Sequence, residues 1–343
     1  MHLHNEIHEQ PAVLGRLITE GRAHIAQIAR HIRDYNPAYV VVAARGTSDN
    51  AARYAQYLFG AKTHLYAGLS TPSLHTLYEQ PPNLARALVI GISQSGQAED
   101  VRRVLADAKA NGALTVGITN NPNSPIATEA HHHIHLMAGE EISIAATKTY
   151  TAQLCAIASL AVELADDEAL RTELDTLPYL VQETLTQADA IASWSERYRY
   201  MTQFVAVGRG YNFPTAFEIS LKVKELCAIT GDGYSEADFR HGPIAIANAG
   251  VPIIVVAPRG VVLPNMLDLM TKLRDRQTEL LVISNDDEAL SFATKPMRLP
   301  NMPEWLSPMV AVVPGQLFAM NQAVVRGLPV DSPRGLTKVT VTK

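Results

Sequence analysis

The chain has 343 residues, 47% hydrophobic and 18% charged, with a formal net charge of −5. This composition excludes a disordered or fibrous chain and leaves room for two cores of ordinary size. Lys and Arg gather in no long cluster, so no nucleic-acid surface is expected, and no apolar run is read as a membrane span. His2, His4, Glu6 and Glu9 precede any apolar stretch, which argues against a secretory signal. Cys155 and Cys227 both fall in apolar helical patterns and read as reduced core residues, so the expected location is the cytoplasm.

The first predicted element is a helical arm over about Pro11 to Arg33, within an N-terminal segment 1–34. Its apolar stripe, Leu14, Leu17, Ile18, Ile25, Ile28 and Ile32, is expected to pack on a neighbour. A strand-like run, Tyr39 to Ala44, then delivers the chain to the turn Arg45-Gly46-Thr47-Ser48, which opens a helix expected to end at Gly60. The run Arg86 to Ile92 leads in the same way to Ser93-Gln94-Ser95-Gly96 and a helical pattern marked by Val101, Val104, Leu105 and Ala108. Unpaired N–H groups and the positive end of a helix dipole suit a phosphate, and small hydroxyl side chains add donors. Ser is also a common helix cap, so one such turn alone decides nothing. Two of them after buried strands point to a crevice at the carboxyl edge of a parallel sheet, and to a ligand with a phosphate and hydroxyls.

A third strand, Thr115 to Asn120, is followed by His131-His132-His133-Ile134-His135. Neighbours in a strand face opposite ways and no Cys or Asp completes a ligand spacing, so the run reads as a partly exposed strand, with no metal and no other cofactor expected. A long helix over about Thr147 to Leu164 and a change of element at Asp166-Asp167-Glu168 and Pro178 close the first half. The second half repeats it. Phe204 to Gly208 leads to Arg209-Gly210, Val251 to Ala257 supplies a middle strand, and Leu281 to Asn285 echoes the third. Pro258-Arg259-Gly260-Val261 stands where the first half has its Ser-Gln-Ser-Gly turn and lacks the hydroxyls, so one phosphate site is expected per chain. The predicted fold class is therefore α/β, two tandem parallel sheets flanked by helices in a doubly wound, flavodoxin-like arrangement. The expected domains are 35–190 and 191–330, followed by an extended tail, 331–343.

In the second half, a helix from Pro214 to about Ile229 carries Glu218, Lys222 and Glu225 on one face. Such a face is either a solvated ladder of ion pairs or an acid–base pair able to move a proton between adjacent carbons. His241, between Arg240 and Gly242-Pro243, lies on no repeating apolar face and suits a proton donor near neutral pH.

Six motifs stand in a telling order: Gly46-Thr47-Ser48, Ser93-Gln94-Ser95-Gly96, Glu141 through Ala146-Thr147-Lys148, Lys222-Val223-Lys224-Glu225, His241-Gly242-Pro243 and Asp331 through Lys338. From about residue 30 onward the chain resembles the double sugar-isomerase (SIS) domain family, including the isomerase half of glucosamine-6-phosphate synthase. The resemblance implies that Gly46, Thr47, Ser48, Ser93, Gln94, Ser95 and Gly96 hold a sugar phosphate, with Ala145 and Ala146 against the substrate. It implies that Glu225 is the base between C1 and C2, assisted by Lys222, and that Lys338 contacts or condenses with the open-chain sugar. It also implies a homodimer with a shared active site, in which His241 of the partner subunit takes part in ring opening.

Departures from the synthase pattern are His2 in place of an N-terminal cysteine, with no glutaminase domain expected, and Ala98, Ala146 and Arg45 at pocket positions. With Cys227-Ala228-Ile229 after the glutamate, they look closer to stand-alone glucosamine-6-phosphate deaminases of the SIS type. The function expected is conversion of glucosamine 6-phosphate to fructose 6-phosphate and ammonia. The alternatives are a deaminase or isomerase of another hexosamine or fructose-amine phosphate, and a non-catalytic phosphosugar sensor.

Overall fold

A computed structural model describes residues 1–338. The chain divides into two interleaved units. The first comprises Ala12–Glu141, Lys148–Thr176 and the tail from Thr337; the second comprises Met1–Pro11, Ile142–Thr147 and Leu177–Leu336.

The first unit is built on five parallel strands: β1 (Tyr39–Ala43), β2 (Ala67–Leu69), β3 (Ala87–Ile92), β4 (Leu114–Thr119) and β5 (His132–His135). They lie in the order β2-β1-β3-β4-β5. β3 is buried along its whole length, which is why its sequence is a continuous apolar run and not an alternating one. Gly91 within it has a packing reason, because a Cβ there would fall 2.6 Å from Leu105 of the helix Glu99–Ala110. The order of connection reverses between β1 and β3, and crevices for ligands form at such switch points.

The second unit repeats the plan with β6 (Gln203–Gly208), β7 (Thr230–Ser235), β8 (Pro252–Val256), β9 (Glu279–Ser284) and β10 (Lys295–Arg298), in the order β10-β9-β8-β6-β7, all parallel. Its switch point falls between β6 and β8. The two sheets make the chain α/β with tandem parallel sheets flanked by helices, in the flavodoxin-like order.

Several expectations need correction. The helical arm runs Gln10–Tyr35 and is preceded by a short helix, His2–His8, with Glu9 between them. Its stripe does not stand open for a neighbour: Leu14, Leu17, Ile18, Ile25, Ile28 and Ile32 are all buried by the chain itself. The same helix is tied inside the first unit, where Arg16 donates to Met137 O and Arg33 to Glu163 O. The helix after β1 continues through Gly60 to Thr63. The glycine-rich stretch before Phe239 holds β7; Gly233 is required there because a Cβ would meet the Phe217 backbone at 2.7 Å. The units change over between Thr176 and Leu177, not near residue 190. Helix Ala188–Ser195 already belongs with the second unit, where the Trp194 ring lies 5.7 Å from Phe318 and Gln322 donates to Ser195 O. One segment, Glu304–Val325, is long and apolar enough to cross a membrane, contrary to the sequence reading, but 83% of its apolar window is buried inside the structure, as in a core helix.

Candidate active site

In the first unit the turns after β1 and β3 flank the switch point. Gly46 opens the helix Thr47–Thr63 with φ of 56°, a left-handed geometry that glycine adopts freely, and no side chain caps that helix. Its hydroxyls are therefore left to other partners. Ser48 Oγ accepts from Gln153 Nε2 at 3.0 Å, which leaves its own proton to donate. In the second turn, Ser93 Oγ accepts from Gly96 N–H at 3.1 Å and Ser95 Oγ from Gln97 N–H at 3.2 Å. Each serine fixes the turn through its oxygen and keeps an O–H for a ligand. Gly96, with φ of 69°, is locked in place, since a Cβ would lie 2.0 Å from Ser124 Oγ. Helix Glu99–Ala110 begins three residues beyond Gly96, with Ala98 as its cap, so the turn precedes the helix instead of forming its first residues. Arg45 reaches to the buried Asp100 at the start of that helix.

A third group in the first unit joins Glu141 to the tail. Glu141 is buried; its Oε1 accepts from Thr149 N–H at 3.1 Å, and its Oε2 accepts from Thr149 Oγ1 at 2.7 Å and Lys338 Nζ at 3.0 Å. Lys338 is thus held at the start of helix Lys148–Ala165. Glu141 was visible as part of a motif, but its role as the anchor of Lys338, 197 residues away, carries no local signal. All of the histidine run but His131 lies in β5, where His133 Nε2 pairs with Thr119 Oγ1 at 2.9 Å and the His132 ring lies 4.9 Å from that of His31. Burial lowers the pKa of His131, His132 and His133, the last to about 4. No group of three or more His, Cys, Asp or Glu suited to a metal ion occurs among the described residues.

In the second unit, the helix Phe213–Cys227 carries Glu218, Lys222 and Glu225 into a buried setting instead of a solvated ladder. Lys222 is 1% exposed and lies 3.4 Å from Glu218 Oε1 and 2.5 Å from Glu225 Oε2. The side chain of Glu218 is fully buried, whereas that of Glu225 is 22% exposed. The lysine therefore neutralises one inner carboxylate and donates to an outer one that solvent and small molecules can reach. His241 follows the short helix Glu236–Arg240; its backbone N–H donates to Asp238 O and its side chain is exposed. No hydrogen bond among the described residues brings it to Glu225. Arg240 and Arg209 both converge on the buried Glu236, a pairing the sequence did not announce. Ala145 and Ala146 lie in the Ile142–Thr147 segment of this unit, one buried and one half-buried.

Two sheets of one plan, with hydroxyl-lined turns at the switch point of the first, define a doubly wound α/β protein with a candidate anion site. Residues 35–163 and 202–326 match the SIS domain, and the chain belongs to that family. Among its relatives, glutamine–fructose-6-phosphate aminotransferase (isomerizing) of Aquifex aeolicus is 34% identical over 343 residues, 98% of this chain and 57% of the relative. The enzyme of the same name from Gloeobacter violaceus is 36% identical over 358 residues, again 98% of this chain and 58% of the relative. The chain thus spans little more than half the length of these relatives. The C-terminal domain of glucosamine-fructose-6-phosphate aminotransferase from Francisella tularensis superposes with a TM-score of 0.87 at 25% identity, covering 97% of this chain and 98% of that one. Glucosamine-6-phosphate deaminase from Thermotoga maritima shares the fold, with a TM-score of 0.83 at 20% identity and complete coverage of both chains.

Proposed function

We propose that the protein converts glucosamine 6-phosphate to fructose 6-phosphate and ammonia by proton transfer between C2 and C1. The observation that carries this reading is the Lys222–Glu225 pair, in which a partly exposed carboxylate is oriented by a buried ammonium at 2.5 Å. In the first unit, Thr47, Ser48, Ser93, Gln94, Ser95 and the backbone at Gly46 and Gly96 are assigned to the phosphate, and Lys338 to the open-chain sugar. In the second unit, Glu225 takes the C2 proton of the open-chain aldehyde and returns it to C1, giving a C2 imine and a C1 hydroxyl. Water then replaces the imine nitrogen, which leaves as ammonia. Lys222 holds the carboxylate, and Ala145 and Ala146 are assigned to the substrate. The exposed His241 is assigned to ring opening in the site of a second copy, which makes the active form a homodimer. The deaminase of this fold from T. maritima supports the direction.

The test is to follow ammonia and fructose 6-phosphate together from glucosamine 6-phosphate. Glu225→Gln should lower kcat by roughly 10²–10⁴ while leaving binding nearly intact. Undiminished turnover by this variant refutes the assignment of the base. Binding without turnover by the wild type refutes the enzyme and leaves a phosphosugar sensor. A second reading, favoured by relatives at 34–36% identity, is the isomerase half of a glutamine-dependent aminotransferase. It requires glucosamine 6-phosphate to form from fructose 6-phosphate and glutamine when a separate glutaminase is supplied to hydrolyse the glutamine, and no release of ammonia from glucosamine 6-phosphate.

A further inference from the structure

The second unit keeps the strand register that leads into both ligand turns. Ser93 N–H donates to Ile118 O at 3.1 Å and Ala257 N–H to Ile283 O at 3.0 Å, equivalent bonds between the third and fourth strands of their sheets. The counterpart of Ser93-Gln94-Ser95-Gly96 is therefore Ala257-Pro258-Arg259-Gly260, one residue earlier than the sequence suggested, and the two glycines hold the same position, although only Gly96 has a positive φ. The other turn matches as well. Gly46 and Gly210 take the same left-handed φ, 56° and 59°, which sets Tyr211 where the first unit has Thr47.

A carboxylate occupies this second crevice. Glu304 Oε2 accepts from Val261 N–H at 3.0 Å, the amide that corresponds to Gln97 N–H in the first turn. The carboxyl group rests on Gly260 so closely that a Cβ there would fall 2.1 Å from its carbon. Its charge also reaches Tyr211, whose phenol is pushed up by burial and by the Glu304 charge. Glu304 comes from the turn after β10 and begins the short helical turn Glu304–Leu306, so it is delivered by an element outside both ligand turns.

We propose that the crevice between β6 and β8 is an oxyanion site at the place equivalent to the first, whose anion is the chain's own Glu304, and that Glu304 confines phosphate binding to the first unit. A tethered carboxylate needs no recruitment from solution, and its charge opposes a phosphate at the same amide. Its removal leaves the Val261 N–H and the space over Gly260 for an external anion, and the chemical class that fits is inorganic phosphate or a phosphate monoester. The inference rests on the reading of the first crevice as the phosphate site.

The test is calorimetric titration with inorganic phosphate of the wild type, Glu304→Ala, Glu304→Ser and Ser95→Ala, together with Glu304→Ala/Ser95→Ala. One equivalent is expected for the wild type and a second for Glu304→Ala and Glu304→Ser. The added equivalent should survive in the double variant while the first weakens. If Glu304→Ala fails to fold, Glu304→Ser, which keeps a hydroxyl of the kind that lines the first turn, is the variant that decides. No added equivalent in a folded Glu304 variant overturns the proposal. A wild-type equivalent that is unchanged in Ser95→Ala overturns the reading of the first crevice instead, and the difference between the Glu304 variants and wild type still decides the second.

Discussion

Lys222→Met removes the cation between Glu218 and Glu225 and leaves Glu218, fully buried, without the ammonium 3.4 Å away. Methionine fills nearly the same volume, so the perturbation is mainly one of charge. Removing one member of a buried ion pair costs about 3–5 kcal/mol, because the remaining charge keeps its desolvation penalty and loses its compensation. For a unit of this size each kcal/mol moves the unfolding midpoint by roughly 2–4 °C, which puts the expected shift at about 6–20 °C. Glu218→Gln/Lys222→Met removes both charges and should recover most of that loss, as replacement of a buried pair often does. Neither protein should regain turnover, since both lack the ammonium that orients Glu225. The assay is thermal unfolding by circular dichroism beside ammonia release from glucosamine 6-phosphate. If Lys222→Met unfolds within about 1 kcal/mol of the wild type, or if the double variant is no more stable than the single one, the burial argument is wrong and the face is a solvated ladder after all.

Two further outcomes follow from the first unit. Ser95→Ala removes one hydroxyl donor to a phosphate dianion and should weaken phosphosugar binding by about 1.5–3 kcal/mol, roughly 10- to 150-fold, measured by titration calorimetry. On pH, the unfolded chain carries a proton on His133 that the folded chain refuses, because the folded pKa is depressed to about 4 from 6.5. Stability from this group is complete above pH 6.5 and declines as pH falls toward 4; His133→Asn should flatten that part of a pH–unfolding profile, and an unchanged slope would contradict it.

The central strands could be read from sequence because burial on both faces demands unbroken Val and Ile runs, as in Val40-Val41-Val42 and Leu88-Val89-Ile90. The edge strand β7 could not. Thr-Gly-Asp-Gly-Tyr-Ser has the composition of a loop, and its glycines answer to the Phe204 ring and the Phe217 backbone, neighbours that exist only after folding. Gly60 misled in the opposite direction: a cap is unnecessary where the helix Thr47–Thr63 is carried past it by buried Leu58 and Phe59. At the site, hydroxyl-rich turns and the Glu-Lys-Glu spacing are local and were legible as chemistry. The partners that orient them were not, since Gln153 meets Ser48 across 105 positions and Lys338 meets Glu141 across 197. The one-residue offset of the second turn was hidden for the same reason; only the strand hydrogen bonds reveal which residues correspond.

The N-terminal helix His2–His8 bears on how this molecule can be taken apart. Glu6 Oε1 accepts from Ile142 and Ser143 N–H at 2.5 and 3.1 Å, while Asp331 accepts from Leu3 N–H through Oδ1 at 2.9 Å and from Ile144 N–H through its carbonyl at 3.1 Å. Three stretches far apart in sequence are thereby sewn into the second unit. A fragment cut as one continuous length, such as 191–330, would leave behind both the hydrogen-bonding carboxylate and the amides it serves. Trimming the other end would in turn take away Lys338, which Glu141 holds in the first unit. Neither end of the chain can be shortened without loss to one of the two units.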